Sequence, residues 1–92
     1  MLFLTKVLKA AANENRLRIL KVLLDNRARE IGEIANEVNL PYKTTARNLK
    51  ILEKFDFLKS NVNHGLTYYQ VKRARQLFYN QIIFTMIQKN KI

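Results

Sequence analysis

The sequence predicts a mainly helical α+β fold built as one small domain, and three observations carry that prediction. Breakers are scarce: Gly32, Gly65 and Pro41 are the only glycines and proline in 92 residues, too few to punctuate a loop-rich or all-β chain. Apolar residues recur at helical spacing over most of the length, the mark of amphipathic helices. After Phe57 the period changes, and LKSNV and LTYYQV alternate on either side of NHG, which reads as a β-hairpin closed by a glycine turn.

The elements follow in order. A first helix runs from about Leu2 to Ala12, with Leu4, Val7, Leu8 and Ala11 on one stripe. Asn13 is a good N-cap for a second, and Glu14 suits the positive end of that helix. In ENRLRILKVLLD, Leu17, Leu20, Leu23 and Leu24 share a face. NRARE breaks the pattern and is expected to hold a turn and a very short strand. IGEIANEV then places Ile31, Ile34, Ala35 and Val38 at i, i+3, i+4 and i+7, a third helix. Asn39-Leu40-Pro41 interrupts it, and Pro41 fits the first position of a fourth helix, where its missing N–H costs nothing. That helix, 42–55, carries Thr45, Leu49 and Leu52 on its inner face. The hairpin spans 58–71, and a helical pattern returns from about 73 to the C-terminus. Two helices joined by a three-residue turn, with a hairpin behind them, make a winged helix-turn-helix at 31–55 with its wing at 58–71.

Charge narrows the function. The net charge is +10, and residues 72–92 hold five basic residues and no acid. Such an excess favours a polyanionic partner, namely DNA, RNA or an anionic membrane surface, over the bland alternative of a basic globular protein. No apolar run approaches the roughly 18 residues needed to span a bilayer. The opening MLFLTKVLKA reads as an amphipathic helix, not a signal peptide. The absence of cysteine excludes disulfides, thiol nucleophiles and thiolate metal sites, and permits a cytoplasmic location.

The fourth helix sharpens the reading. Lys43, Arg47, Lys50 and Lys54 are spaced four, three and four apart, within an arc of roughly 60° at about 100° per residue. On an isolated helix such a face could simply be solvated. On the second helix of a helix-turn-helix it is a cationic ridge facing the major groove, N-terminal residues nearest the base edges. Lys43, Thr44 and Arg47 are then placed for bases and Lys50 and Lys54 for phosphates. Ala46 lets the backbone come close, and Tyr42 points partly towards the core.

These segments resemble a known family. LKAAANENRLRILKVLL, followed by IGEIANEVNLPYKTTARNLKILEKFDFLKS and the YY of the hairpin, is similar to the ArsR-type winged-helix transcriptional repressors over residues 8–71, with MarR-type proteins as near relatives. The resemblance implies a homodimeric DNA-binding repressor of a prokaryotic cytoplasm, paired through its first and last helices, 1–12 and 73–92. It places base-reading positions at Tyr42, Lys43, Ala46 and Arg47, and Asn48 where the family usually has histidine. Proline, lysine and alanine stand at 41, 43 and 46 in place of the family's serines. The family's metal-sensing ligands are absent: 31–38 offers only Glu33 and Glu37, and 72–92 contains no Cys, His, Asp or Glu. Neither a metal nor a cofactor is expected.

Other candidates fill out the picture. His64, at the hairpin tip, either touches phosphate or the minor groove beside Asn61 and Asn63, or is a plain turn residue. The last helix has apolar residues on more than one side, more than so small a fold can bury. A homodimer interface of Leu4, Val7, Leu8, Leu77, Phe78, Ile82, Ile83 and Met86 accounts for them. A basic amphipathic helix on an anionic membrane ranks below that. Catalysis is not expected: Ser60 is the lone serine, Gly32 and Gly65 build no phosphate loop, and the seven acids form no two-metal motif. The sequence therefore predicts a sequence-specific, double-stranded-DNA-binding regulator, a repressor. A non-specific DNA-binding protein of an architectural or virus-encoded kind and a winged-helix protein-interaction module are the alternatives.

Overall fold

A computed structural model describes residues 1–73 and 78–90. The described residues form helices α1 (Leu2–Ala11), α2 (Glu14–Leu23), α3 (Ile31–Val38), α4 (Tyr42–Lys54) and α5 (Phe78–Lys89). The strands are β1 (Arg29–Glu30), β2 (Leu58–Asn63) and β3 (Leu66–Val71), ordered β1-β3-β2 in one antiparallel sheet. This is the mostly helical α+β, winged helix-turn-helix fold expected from the sequence.

Local chemistry explains the boundaries. Asn13, extended, accepts a hydrogen bond from the Arg16 N–H and so satisfies one free amide at the start of α2. Glu30 caps α3 through a box in which its carboxylate accepts from the Gly32 and Glu33 amides, while Glu33 accepts from the Glu30 amide. Asn39 ends α3 in the left-handed region at φ 55°, and the Leu40 N–H bonds back to the Ala35 carbonyl. Pro41 stands one place earlier than expected, as the N-cap of α4, its carbonyl taking both the Thr45 N–H and the Thr45 hydroxyl at 3.0 Å. α4 ends at Lys54, not at 55. Asp56 turns left-handed at φ 63°, and the Phe57 N–H returns to the Leu52 carbonyl.

The core lies where the helices meet the sheet. Ile19, Leu20 and Leu23 from α2, Ile34 and Val38 from α3, and Leu49 and Leu52 from α4 are buried together with Phe57 and Leu58. Phe57 meets Phe84 of α5 edge to face, ring centroids 5.9 Å apart, an arrangement favoured by the ring quadrupoles. Asn80, also buried, donates to the Phe55 carbonyl at 2.8 Å and so fixes α5 against the end of α4.

Arg29 is 8% exposed, a buried charge made tolerable by its partners. Its guanidinium grips Asp25 through two bonds of 2.9 and 2.7 Å, approaches Glu37 at 3.3 Å and donates to the Val22 carbonyl. Hydrogen bonding from Arg29 holds the Asp25 carboxyl far below the usual carboxylate range, and the Arg27 amide helps. A carboxylate depressed on folding stabilises fully above its unfolded value, near 3.9, and that stabilisation fades as pH falls through it towards the folded value. Asp25→Asn is therefore expected to flatten the loss of stability below about pH 4 while lowering stability at pH 7. Urea midpoints measured from pH 7 to pH 2 test this, and parallel curves for the two proteins would refute it.

Candidate nucleic-acid interface

The α4 surface is assembled by its neighbours. Thr45, Leu49 and Leu52 are fully buried, which leaves Lys43, Arg47, Lys50 and Lys54 in a row on the exposed side. Tyr42 is exposed, contrary to its expected lean towards the core, while Thr44 and Ala46 are half-buried beside the ridge. Ala46, Arg47, Lys50, Ile51 and Lys54 line a shallow depression of about 410 Å³. Glu53, the only acid of α4, is turned away from this row. Its carboxylate accepts from the Ser60 hydroxyl on the wing, and beside it burial, then this carboxylate, push the Tyr69 phenol up. The ridge thus presents positive charge that its own helix does not offset.

Asn48 requires a correction. It is 7% exposed and accepts a 3.0 Å hydrogen bond from Arg16 Nη1. Arg16 also donates to the carbonyls of Ala10 and Lys9 at the end of α1, so Asn48 belongs to a strut between α1, α2 and α4 and is buried away from the exposed row. Two other arginines are similarly engaged. Arg18 donates to the Val38 carbonyl, and Arg73 bonds Asn26 and lies over the Phe84 ring at 5.4 Å. These roles leave no periodic signal in the sequence.

The wing is a hairpin in register Asn63↔Leu66, closed by His64 and Gly65, both at positive φ (51° and 77°), the signature of a two-residue primed turn. His64 is exposed at the tip. Alternation along β2 puts Ser60 and Val62 on the α4 side, whereas Lys59, Asn61 and Asn63 face away from it. They line, with Ala28, Tyr68, Gln70 and also Ser60, a depression of about 410 Å³. Asn61 and Asn63 are therefore not gathered with the ridge.

Of the residues expected at a dimer surface, some are exposed and two are buried within the protomer. Leu8, Phe78, Ile82 and Met86 are exposed, and Leu4 is half-buried. Val7 and Ile83, 0% and 5% exposed, belong to the protomer's own core. Leu77 lies outside the described residues. Phe3 and Tyr79, exposed beside these residues, were not expected there. Among the described residues no helix is long and apolar enough to cross a membrane.

A winged helix-turn-helix with a basic second helix defines a class, that of transcriptional regulators of this fold. The chain belongs to the arsR family of bacterial regulatory proteins, whose model matches residues 13–60. Solved structures agree on the fold. A homodimeric winged helix-turn-helix DNA-binding domain from Mycobacterium bovis superposes with a TM-score of 0.78 at 24% identity, over 94% of this chain and 75% of that one. NolR from Sinorhizobium fredii gives 0.76 at 22%, over 94% and 82%. HlyU from Vibrio cholerae gives 0.73 at 23%, over 89% and 88%. No curated protein matches the chain in sequence.

Proposed function

We propose that the chain is a homodimeric, sequence-specific double-stranded-DNA-binding repressor that seats α4 in the major groove and occupies promoter DNA. The observation that carries this reading is the row Lys43, Arg47, Lys50 and Lys54, exposed along a helix whose only acid faces elsewhere. Arg47 and Lys43, with Thr44, are placed for base edges, and Lys50 and Lys54 for backbone phosphates. Dimerisation is supported by the homodimeric state of the Mycobacterium bovis domain and by the exposed apolar stripe Phe78, Ile82 and Met86 on α5. Beside it, a groove of about 260 Å³ between α1 and α5 is lined by Leu8, Ala11, Leu17 and Met86. Two copies paired there would present two α4 helices to half-sites about 34–36 Å apart.

The test is duplex binding across a salt series, with the mass in solution measured alongside. About four phosphates neutralised by each protomer give a dimer a log K against log salt slope of about −7. A slope shallower than about −2 overturns the reading, and absence of binding at low salt favours a protein-interaction module. Arg47→Ala is expected to reduce discrimination between sequences by about 1–3 kcal/mol, whereas Lys54→Ala weakens every sequence alike. Equal loss of discrimination from both contradicts those roles.

A further inference from the structure

A second basic concavity adjoins the ridge and shares only Lys54 with the charged row described above. It measures about 310 Å³ and is lined by Lys6, Lys9 and Ala10 of α1, Arg16 of α2, and Ile51 and Lys54 of α4 with Phe55. Ile51 and Lys54 also line the depression along the ridge, so the two concavities form one track. Its lining contains no carboxylate. α1 itself carries no acid, and Lys6 and Lys9 are exposed one turn apart, while Val7, Ala10 and Ala11 are buried behind them.

Arg16 forms the floor. Its guanidinium is committed to the Ala10 and Lys9 carbonyls and to Asn48, which locks α1 against α4 and keeps the lysines of the two helices in one place. Lys54 stands over the Phe55 ring, 5.7 Å from its centroid. Among the described residues none of Lys6, Lys9 and Lys54 forms an ion pair with a carboxylate. Like charges gathered on one concavity repel, and an anion lying over them relieves that repulsion.

We infer that α1 carries a second phosphate-binding row, Lys6 and Lys9, which continues the α4 ridge through Lys54 and extends the grip onto backbone phosphates flanking the groove that α4 occupies. The inference rests on the DNA-binding reading. Its occupant is the same duplex, because the track is continuous with the ridge and offers point charges, not a shaped pocket for a base. Contacts of this kind add affinity without sequence information.

The experiment compares wild type with Lys6→Gln/Lys9→Gln on random duplex DNA and on a selected site, across a salt series. Lys6 and Lys9 supply two of the roughly four phosphates that each protomer neutralises, beside Lys50 and Lys54, so the double variant takes the dimer slope from about −7 to about −4 with its discrimination between sequences unchanged. Both residues are exposed, and an unchanged melting temperature confirms that the fold is intact. A double variant with the wild-type slope overturns the α1 row and leaves the ridge standing. A wild type without salt-dependent duplex binding overturns both. A double variant that loses discrimination also overturns the inference, since the row would then be reading bases.

Discussion

Ile82→Glu is expected to produce a folded monomer whose affinity for a two-half-site operator falls by more than about a hundredfold. Ile82 is 43% exposed in the protomer, between Phe78 and Met86 on the same stripe of α5, so a carboxylate there stays solvated and the fold survives. In a two-fold dimer the same substitution occurs twice in one interface, because an isologous contact uses the same patch on both copies. Each buried, unpaired carboxylate costs several kcal/mol, which exceeds what a small interface can absorb. A monomer then holds one half-site and loses the effective concentration that linkage gave the second. Sedimentation and operator titration of the variant decide the matter. A dimer with unaltered DNA affinity would show that the α5 stripe serves something else.

Phe57→Ala is expected to cost about 3–5 kcal/mol, the usual range for deleting a buried aromatic ring. Phe57 is fully buried, packs edge to face on Phe84, and joins the α4 corner to the wing, since its carbonyl accepts from the Lys72 amide. The loss removes the ring contact with Phe84 and leaves a cavity in the core beside the base of the wing. A domain of this size loses roughly 4–8 °C in melting temperature per kcal/mol, so a drop of at least about 12 °C is predicted by thermal denaturation. A drop below about 4 °C would mean that the site collapses around the gap and that Phe57 is not central to the core.

Periodicity made most of the fold legible. The spacing of Ile31, Ile34, Ala35 and Val38 predicted the third helix, and all four side chains are buried. The NHG turn and the alternating strands predicted the hairpin. What periodicity misses is long-range partnership. Arg16, Arg18 and Arg29 look in sequence like part of the cationic surplus, yet each spends its guanidinium on backbone carbonyls or carboxylates. Their partners come from other helices or from turns. Glu30 is not legible as a helix cap, since it is not among the usual N-cap residues, and only the reciprocal bond with Glu33 reveals it. Asn48 falls to DNA only by analogy of position with the family's histidine. At about 100° per residue it lies well off the centre of the lysine row, so its inward turn was foreshadowed by helix geometry. Val7 and Ile83 look in sequence like interface residues because a sequence cannot say which side of an apolar helix its own core has already taken.

The corner between α3 and α4 is tied at every joint. Asn39 is left-handed, the Leu40 amide returns to Ala35, and the Pro41 carbonyl takes two bonds from Thr45. A corner closed in this way has little freedom left to lose when it meets a partner. The angle at which α4 is offered is set before any encounter, and accommodation falls to the other body. For a duplex, that means local bending or unwinding, which is cheapest at pyrimidine–purine steps. Site preference would then follow base-pair stiffness as well as the hydrogen-bonding edges within reach of Lys43 and Arg47, and would extend to base pairs that no side chain touches.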